Sequence, residues 1–228
     1  VIEIGAGFGS LTLALAAAGA EVVAVEFDRA VVPALREVAG DAPGVRVVEA
    51  DAMRLDWDAA LGERDSPWTL CANLPYNIAT PLVLDVLKDV LRVRRLVVMV
   101  QREVGERLAA HAGDDAYGAV SVRVAYRATA SIVRRVGRDV FWPRPKVDSV
   151  VVRSDRLSEP PVSVDEGRLW SVVDEAFGQR RKTMRNAIRR LGVQEADELL
   201  ATAGVPAAAR PEELSLEDFA RIASSLPA

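Results

Sequence analysis

The sequence predicts a doubly wound α/β sheet followed by a small, all-helical domain. Short apolar runs alternate with amphipathic stretches of helical length over the first half of the chain. A glycine cluster directly follows the first apolar run, and after a proline-bearing linker only helical signals remain.

Taken in order, "VIEI" is a short buried strand, and "EIGAGFGS" turns the chain on Gly5, Gly7 and Gly9 into a helix, "SLTLALAAAG", that ends at Gly19. "EVVAVEF" is a second strand, "RAVVPALREVAG" a helix ending at Gly40, "VRVVEA" a third strand and "WTLCANL" a fourth. Thr80 suits the N-cap, and Pro81 the first helical position, of "PLVLDVLKDVL". "RRLVVMV" is the fifth strand and "QREVGERLAAHA" a helix. "GAVSVRVAYRATASIVRRV" and "KVDSVVVRSDRL" carry alternating β-type runs with no full helix between them. They are expected to pair at the sheet edge, partly antiparallel. "SEPPVSVDE" is the linker, which divides the chain into residues 1–158 and 159–228. Four helical stretches follow, two of them stopped by Gly192 and Gly204.

With 228 residues, 50% of them hydrophobic, the chain can bury a core for one domain plus a smaller one. It has no apolar run of membrane-spanning length and no signal peptide. Cys71 is the only cysteine, which excludes an internal disulfide and a thiolate metal cluster; a reducing, cytoplasmic setting and no metal are expected. His111, the only histidine, sits in "LAAHAGDDAYG", which reads as a helix end and a loop. Catalysis of the Ser-His-Asp or Cys-His kind would rest on it alone, and a surface or structural role is expected. The chain opens on Val1 inside a strand-like run, so a preceding segment is expected.

Net charge is −4, but it is unevenly spread. Residues 1–70 carry 5 basic and 12 acidic side chains, residues 71–190 carry 22 and 14, and residues 191–228 carry 2 and 7. The middle segment is therefore the candidate surface for a polyanion.

The glycine turn, Glu26 at the end of the second strand and Asp51 after the third all fall at the carboxyl edge of the expected sheet. Glycines allow close approach to a ligand beside a helix N-terminus. Glu26, 21 residues after Gly5, can accept from ribose hydroxyls, and Asp51 from an exocyclic amine. Glu3 could hold a ligand ammonium or order the loop. Ser10 replaces the third glycine of a dinucleotide turn. These features fit a nucleoside with a positively charged tail and no pyrophosphate, as in S-adenosylmethionine, with NAD as the competing ligand.

"NLPY", Asn73 to Tyr76, follows the fourth strand and contains no group that ionises near neutral pH. The Asn73 side-chain oxygen and a backbone carbonyl beside Pro75 can accept both N–H groups of an adenine amine, drawing its lone pair out of the ring. Proline fixes that loop without adding a donor. Tyr76 offers a stacking face for a base extruded from its strand. No ionised base is needed before methyl transfer, so positioning and electrostatics carry the step.

"EIGAGFGSLT", "VEFD", "DAM", "NLPYNIATPL", "QREVGERLAA", "YGAVSV", "FWPRPKVDSVVVR" and "AFGQRRKTMRNAI", in this order, resemble the ribosomal RNA adenine N6,N6-dimethyltransferases of the KsgA type. The resemblance spans almost the whole chain. It implies a Rossmann-like S-adenosylmethionine-dependent methyltransferase domain and a C-terminal helical domain that binds RNA. The implied activity places two methyls on each of two adjacent adenines near the 3′ end of small-subunit rRNA, in an assembling subunit. A monomer is expected. By resemblance Gly5, Glu26, Asp51, Ala52 and Asn73 line the cofactor site, with Glu3 and Gly7 shaping it. Asn73, Leu74, Pro75 and Tyr76 match the catalytic motif, and Phe141 is the second aromatic wall of the base pocket. The family's N-terminal segment carries an Asn-Phe-Leu-like motif that closes over the cofactor; it has no counterpart here, and cofactor affinity and activity are expected to depend on it.

Residues 179–190 carry six basic side chains and no acid, and residues 134–156 carry seven against three acids. Arg144, Lys146, Arg180, Arg181, Lys182, Arg185 and Arg189 are the expected RNA contacts, with Arg181, Arg185 and Arg189 near one helix face if that helix starts early enough. Trp142 either stacks on RNA or packs. The erythromycin-resistance methyltransferases, which act on large-subunit rRNA, share fold and chemistry, but "FGQRRKTMRN" favours the small-subunit enzymes. A nicotinamide-dependent oxidoreductase and a non-catalytic ribosome assembly factor are the competing functions of other classes.

Overall fold

The structure, a computed structural model, describes residues 1–40, 42–63, 66–178 and 183–227. One sheet contains seven strands: β1 (Ile2–Ile4), β2 (Val22–Glu26), β3 (Val45–Glu49), β4 (Trp68–Asn73), β5 (Val93–Gln101), β6 (Ala128–Val136) and β7 (Ser149–Arg156). Their order is β3-β2-β1-β4-β5-β7-β6. The first five pair in parallel, with Ile2 opposite Val23 and Leu70, and β7 runs antiparallel to β5, with Val98 opposite Val152. The interior strand β1 is buried at every position, and β2 at all but its last, as expected where both faces are covered. The strand order reverses at β1, so the loops after β1 and β4 diverge at the carboxyl edge, where such sheets bind ligands.

Helices α1 (Ser10–Ala17), α2 (Val32–Ala39), α3 (Trp57–Leu61), α4 (Ala79–Asp89) and α5 (Arg102–Ala109) follow β1 to β5 in the chain. The short α3 has no apolar period long enough to announce it; Asp56 caps it by accepting from the Ala59 N–H at 3.0 Å. The start of α4 differs from expectation. Ile78 donates its N–H to the Pro75 carbonyl and already has helical dihedrals, so Ile78 is the N-cap, and Thr80 and Pro81 fall inside the first turn. Pro81 is tolerated there because the first N–H groups of a helix have no intrahelical acceptor.

The chain divides into two compact units: residues 1–105 with 129–156, and residues 106–128 with 157–228. The expected boundary at 158/159 lies beside the last of its three crossings, at 156/157. The difference is "GAVSVRVA", which is not a strand but helix α6 (Ala119–Ala125). The Gly118 N–H donates to Ser121 Oγ, and Ser121 Oγ donates to the Arg107 carbonyl at 2.6 Å. Capping and burial outweigh the β-preference of its three valines. Val122 and Tyr126 join a core with Leu169, Val172, Met184, Leu200 and Phe219, which are contributed by α7 (Glu166–Phe177), α8 (Met184–Arg190), α9 (Ala196–Thr202) and α10 (Leu216–Ser225). Tyr126 meets Trp170 edge to face, with centroids 5.1 Å apart.

Two residues beside the β5–β7 pair fix the first unit. The Arg156 guanidinium donates to the carbonyls of Leu87, Val86, Val90 and Val93, which caps the end of α4. Gly105 lies against β7: a methyl group there would stand 2.1 Å from Val150 Cγ2 and 3.0 Å from Val152 Cγ2. Valine cannot swing aside, so Gly105→Ala should cost about 1–3 kcal/mol by overpacking, offset by up to ~1 kcal/mol of helix propensity. Thermal unfolding is expected to fall by a few degrees. An unchanged or raised Tm would show that β7 yields to α5.

Candidate active site

The loop after β1 folds back over β2, with the Gly5 and Ala6 N–H groups both donating to the Val25 carbonyl, at 2.9 and 3.1 Å. Gly5 (φ 73°) and Gly7 (φ 56°) adopt left-handed backbone that side chains disfavour. A methyl at Gly5 would also stand 3.6 Å from Pro75 Cδ and 3.8 Å from the Asn73 carbonyl oxygen, so the loop after β4 lies beside this turn. The Gly7 N–H donates to Glu26 Oε2 at 2.8 Å; Glu26 Oε1 accepts from Phe27 and Asp28, at 2.9 and 2.8 Å. Three of about four lone-pair directions on that carboxylate are thereby used, and the remaining capacity is on Oε2. Asp51 Oδ1 accepts from the Met53 N–H at 2.9 Å.

Gly5, Glu26, Asp51 and Ala52 line one cleft of about 370 Å³. Gly7 shapes it through its bond to Glu26. Glu3 does not line it: the residue is buried, and its Oε2 accepts from Thr12 Oγ1 at 2.6 Å, tying β1 to α1. Asn73 lines a different hollow. Phe27, Met53, Asn77 and Ile78 complete the cleft and were not singled out from the sequence. Phe27 and Met53 stand one and two places after strand-end acids, a signal that was available. Phe27 is 69% exposed, a flat apolar face beside Glu26.

The second hollow, of about 290 Å³, is lined by Asn73, Leu74, Pro75, Tyr76, Phe141, Trp142, Pro143, Pro145 and Ser149. It brings together Tyr76 and Phe141, which are far apart in sequence. Leu74 is buried, and its N–H donates to the Met99 carbonyl, which anchors the motif to β5. Pro75 borders both hollows.

The basic candidates are less open than their sequence runs. Arg144 pairs with Asp139 at 2.6 Å. Lys146 is exposed, and only its backbone carbonyl is engaged, by Arg138 at 3.4 Å. Arg185 pairs with Asp197 at 2.6 Å, and Arg189 lies 3.9 Å from the same carboxylate. Helix α8 begins at Met184 with Thr183 as N-cap and carries Arg185 and Arg189. Arg180, Arg181 and Lys182 lie outside the described residues. His111 is exposed, 3.9 Å from Asp114, in the turn after α5. Among the described residues no helix is long and apolar enough to cross a membrane, and no group of His, Cys, Asp and Glu could hold a metal ion.

Sheet order, strand-end acids and paired hollows define an α/β methyltransferase of the Rossmann-like kind, with a helical C-terminal part. A family model described as ribosomal RNA adenine dimethylase matches residues 1–227, and the chain belongs to that family. It is 44% identical over 233 residues to a ribosomal RNA small subunit methyltransferase A of Acidothermus cellulolyticus, covering 99% of this chain and 79% of the relative. The corresponding protein of Thermobifida fusca is also 44% identical, with coverages of 100% and 80%. Among solved structures, the 23S rRNA methyltransferase ErmE is 25% identical, with a TM-score of 0.74 over 99% of this chain and 89% of its own. A dimethyladenosine transferase of Plasmodium falciparum has a TM-score of 0.78 over 97% of this chain and 87% of its own, at 22% identity, a likeness of fold.

Burial pushes the Glu3 carboxyl above its ordinary value near 4.5, opposed by the Thr12 hydroxyl and aided by the Glu26 charge. A raised folded-state value means that the stabilising contribution is complete below the ordinary value and is lost as pH rises through the raised one. Glu3→Gln retains an acceptor for Thr12 and does not titrate. Urea unfolding from pH 4.5 to 8 should therefore show the variant gaining on the parent as pH rises; a constant difference would refute a raised Glu3.

Proposed function

We propose that this chain dimethylates N6 of two adjacent adenines near the 3′ end of small-subunit rRNA, with S-adenosylmethionine as methyl donor, during subunit assembly. The observation that carries this reading is a cleft lined by two acids and apolar side chains and an aromatic hollow that shares Pro75 with it as a wall. The cleft's chemistry fits the donor. Glu26 Oε2 has capacity for a ribose hydroxyl, Asp51 Oδ2 for an adenine amine, and Phe27, Met53 and Ile78 offer apolar contact to a ring. When bound, S-adenosylmethionine supplies an electrophilic methyl on a sulfonium sulfur.

On the acceptor side, Tyr76 and Phe141 sandwich the extruded adenine. Asn73 Oδ1 and the carbonyl preceding Pro75 accept from its exocyclic amine, localising the lone pair toward the cleft. Pro75 has no N–H to compete for them. The amine proton leaves to water once the nitrogen carries the methyl, so no side chain needs to ionise. The 44% identity to small-subunit methyltransferases, against 25% to ErmE, supports small-subunit rRNA as substrate. The helical unit's basic residues, Arg185 and Arg189 among them, are assigned to RNA phosphates, and Arg144 and Lys146 to the RNA near the hollow.

Unmethylated small subunits incubated with tritiated S-adenosylmethionine should take label into adenine. Label in naked large-subunit RNA instead would make this an erythromycin-resistance-type activity, and no label in either would sink the reading. Asn73→Ala should lower kcat by roughly 100-fold or more, the scale of losing one oriented polar contact to the reacting centre. Because Asn73 is exposed, Tm should hardly move. A rate near that of the parent would remove Asn73 from the mechanism.

Asp197→Asn discharges the acid that holds Arg185 and Arg189. The salt dependence of RNA affinity should then steepen, by about 0.7–0.9 in log–log slope for each phosphate newly neutralised. An unchanged slope would take α8 out of the RNA-binding surface.

A further inference from the structure

Trp142 is 97% exposed, although a side chain of this size and apolarity is ordinarily sheltered. It does not pack, which leaves the other role open for it. It borders the same hollow as Tyr76 and Phe141. The backbone at Phe141 is extended (φ −106°, ψ 146°), so the side chains of residues 141 and 142 leave the chain in opposing directions. One aromatic is half-buried in the hollow and the next stands outside it. Pro143 and Pro145 restrict the loop that carries Trp142, so little conformational entropy is lost when it is engaged. Val140, 71% exposed, extends the apolar surface; Arg138, Arg144 and Lys146 lie within four residues of Trp142, with Asp139 paired to Arg144, which leaves the loop a net positive charge.

We propose that Trp142 is a stacking platform for the nucleotide beside the target adenine, holding the RNA strand at the mouth of the hollow while its neighbour is extruded into it. This rests on the methyl-transfer reading above and adds a substrate-positioning residue to it. An indole face suits any base, so the contact contributes affinity and strand registration without reading sequence. Cations in the same loop attract the flanking phosphates. A protein surface could also cover an exposed indole, but the cation-flanked loop beside a base-sized aromatic hollow favours a nucleic-acid strand.

Two measurements test this. With unmethylated small subunits, Trp142→Ala should raise KM about ten-fold while moving kcat less, and Trp142→Phe should restore most of the loss. In the second, a short adenine-containing oligoribonucleotide at low salt should quench the indole emission of the parent chain, and the quench should largely vanish in Trp142→Phe. An unchanged KM in Trp142→Ala overturns the proposal. So does a raised KM with parent emission indifferent to RNA, which would assign Trp142 to a protein contact. If the parent chain transfers no methyl, the functional reading fails, while the quench still reports whether Trp142 stacks on RNA.

Discussion

The carboxylate of Glu26 is the constraint on which the rest of the site depends. It gathers three backbone N–H groups, one from the glycine turn after β1 and two from its own loop. Charge-assisted bonds of this kind are about twice as strong as neutral ones, and here they join two strand ends that the sheet alone only brings near. The turn thereby held is the one that lies beside Pro75 and the Asn73 carbonyl. A single acid at the end of β2 thus orders the floor of the cleft beside the loop that borders the second hollow.

The helical unit has a different logic. Its arginines are bound to acids of the same unit: Arg123 to Asp174, Arg127 to Glu166, Arg185 to Asp197 and Arg190 to Glu175. Arg127 also lies over Tyr126, and Arg123 over Trp170. Side chains counted as basic in the linear sequence are therefore partly neutralised where they stand. Asp174, Glu166 and Glu175 are already counted among the acids of residues 71–190; Asp197 lies outside that segment and offsets one further charge.

The fold class was legible because parallel strands buried on both faces read as continuous apolar runs, and because glycines and acids marked their carboxyl ends. β1 to β5 fall where the runs predict, and the helices after the linker follow the apolar spacing and the glycine stops. The failures are local. "AVSVRVA" has the composition of a strand, and only its capping serine and its burial among distant residues make it a helix, which also moved residues 106–128 into the helical unit. Thr80 looked like a cap, but a turn earlier in the loop had already started the helix. Within the site, Glu26, Asp51 and Gly5 were visible from spacing. Spacing gave no link between Phe141 and Tyr76, which only the family resemblance suggested; the return of the chain before β7 puts them in one lining. Phe27 was legible from its place directly after Glu26, whereas Ile78 carries no such mark in the sequence. The pairing of Arg185 and Arg189 with Asp197 needed two helices to be placed in space.

Pro75 stands in the wall of both hollows. Such a shared wall removes a degree of freedom from the evolution of the protein. A change at this residue alters the lining of both hollows together. Substitutions there are read by two selective pressures at once, and variation is channelled to the far sides of each hollow, where residues such as Met53 and Pro145 answer to only one.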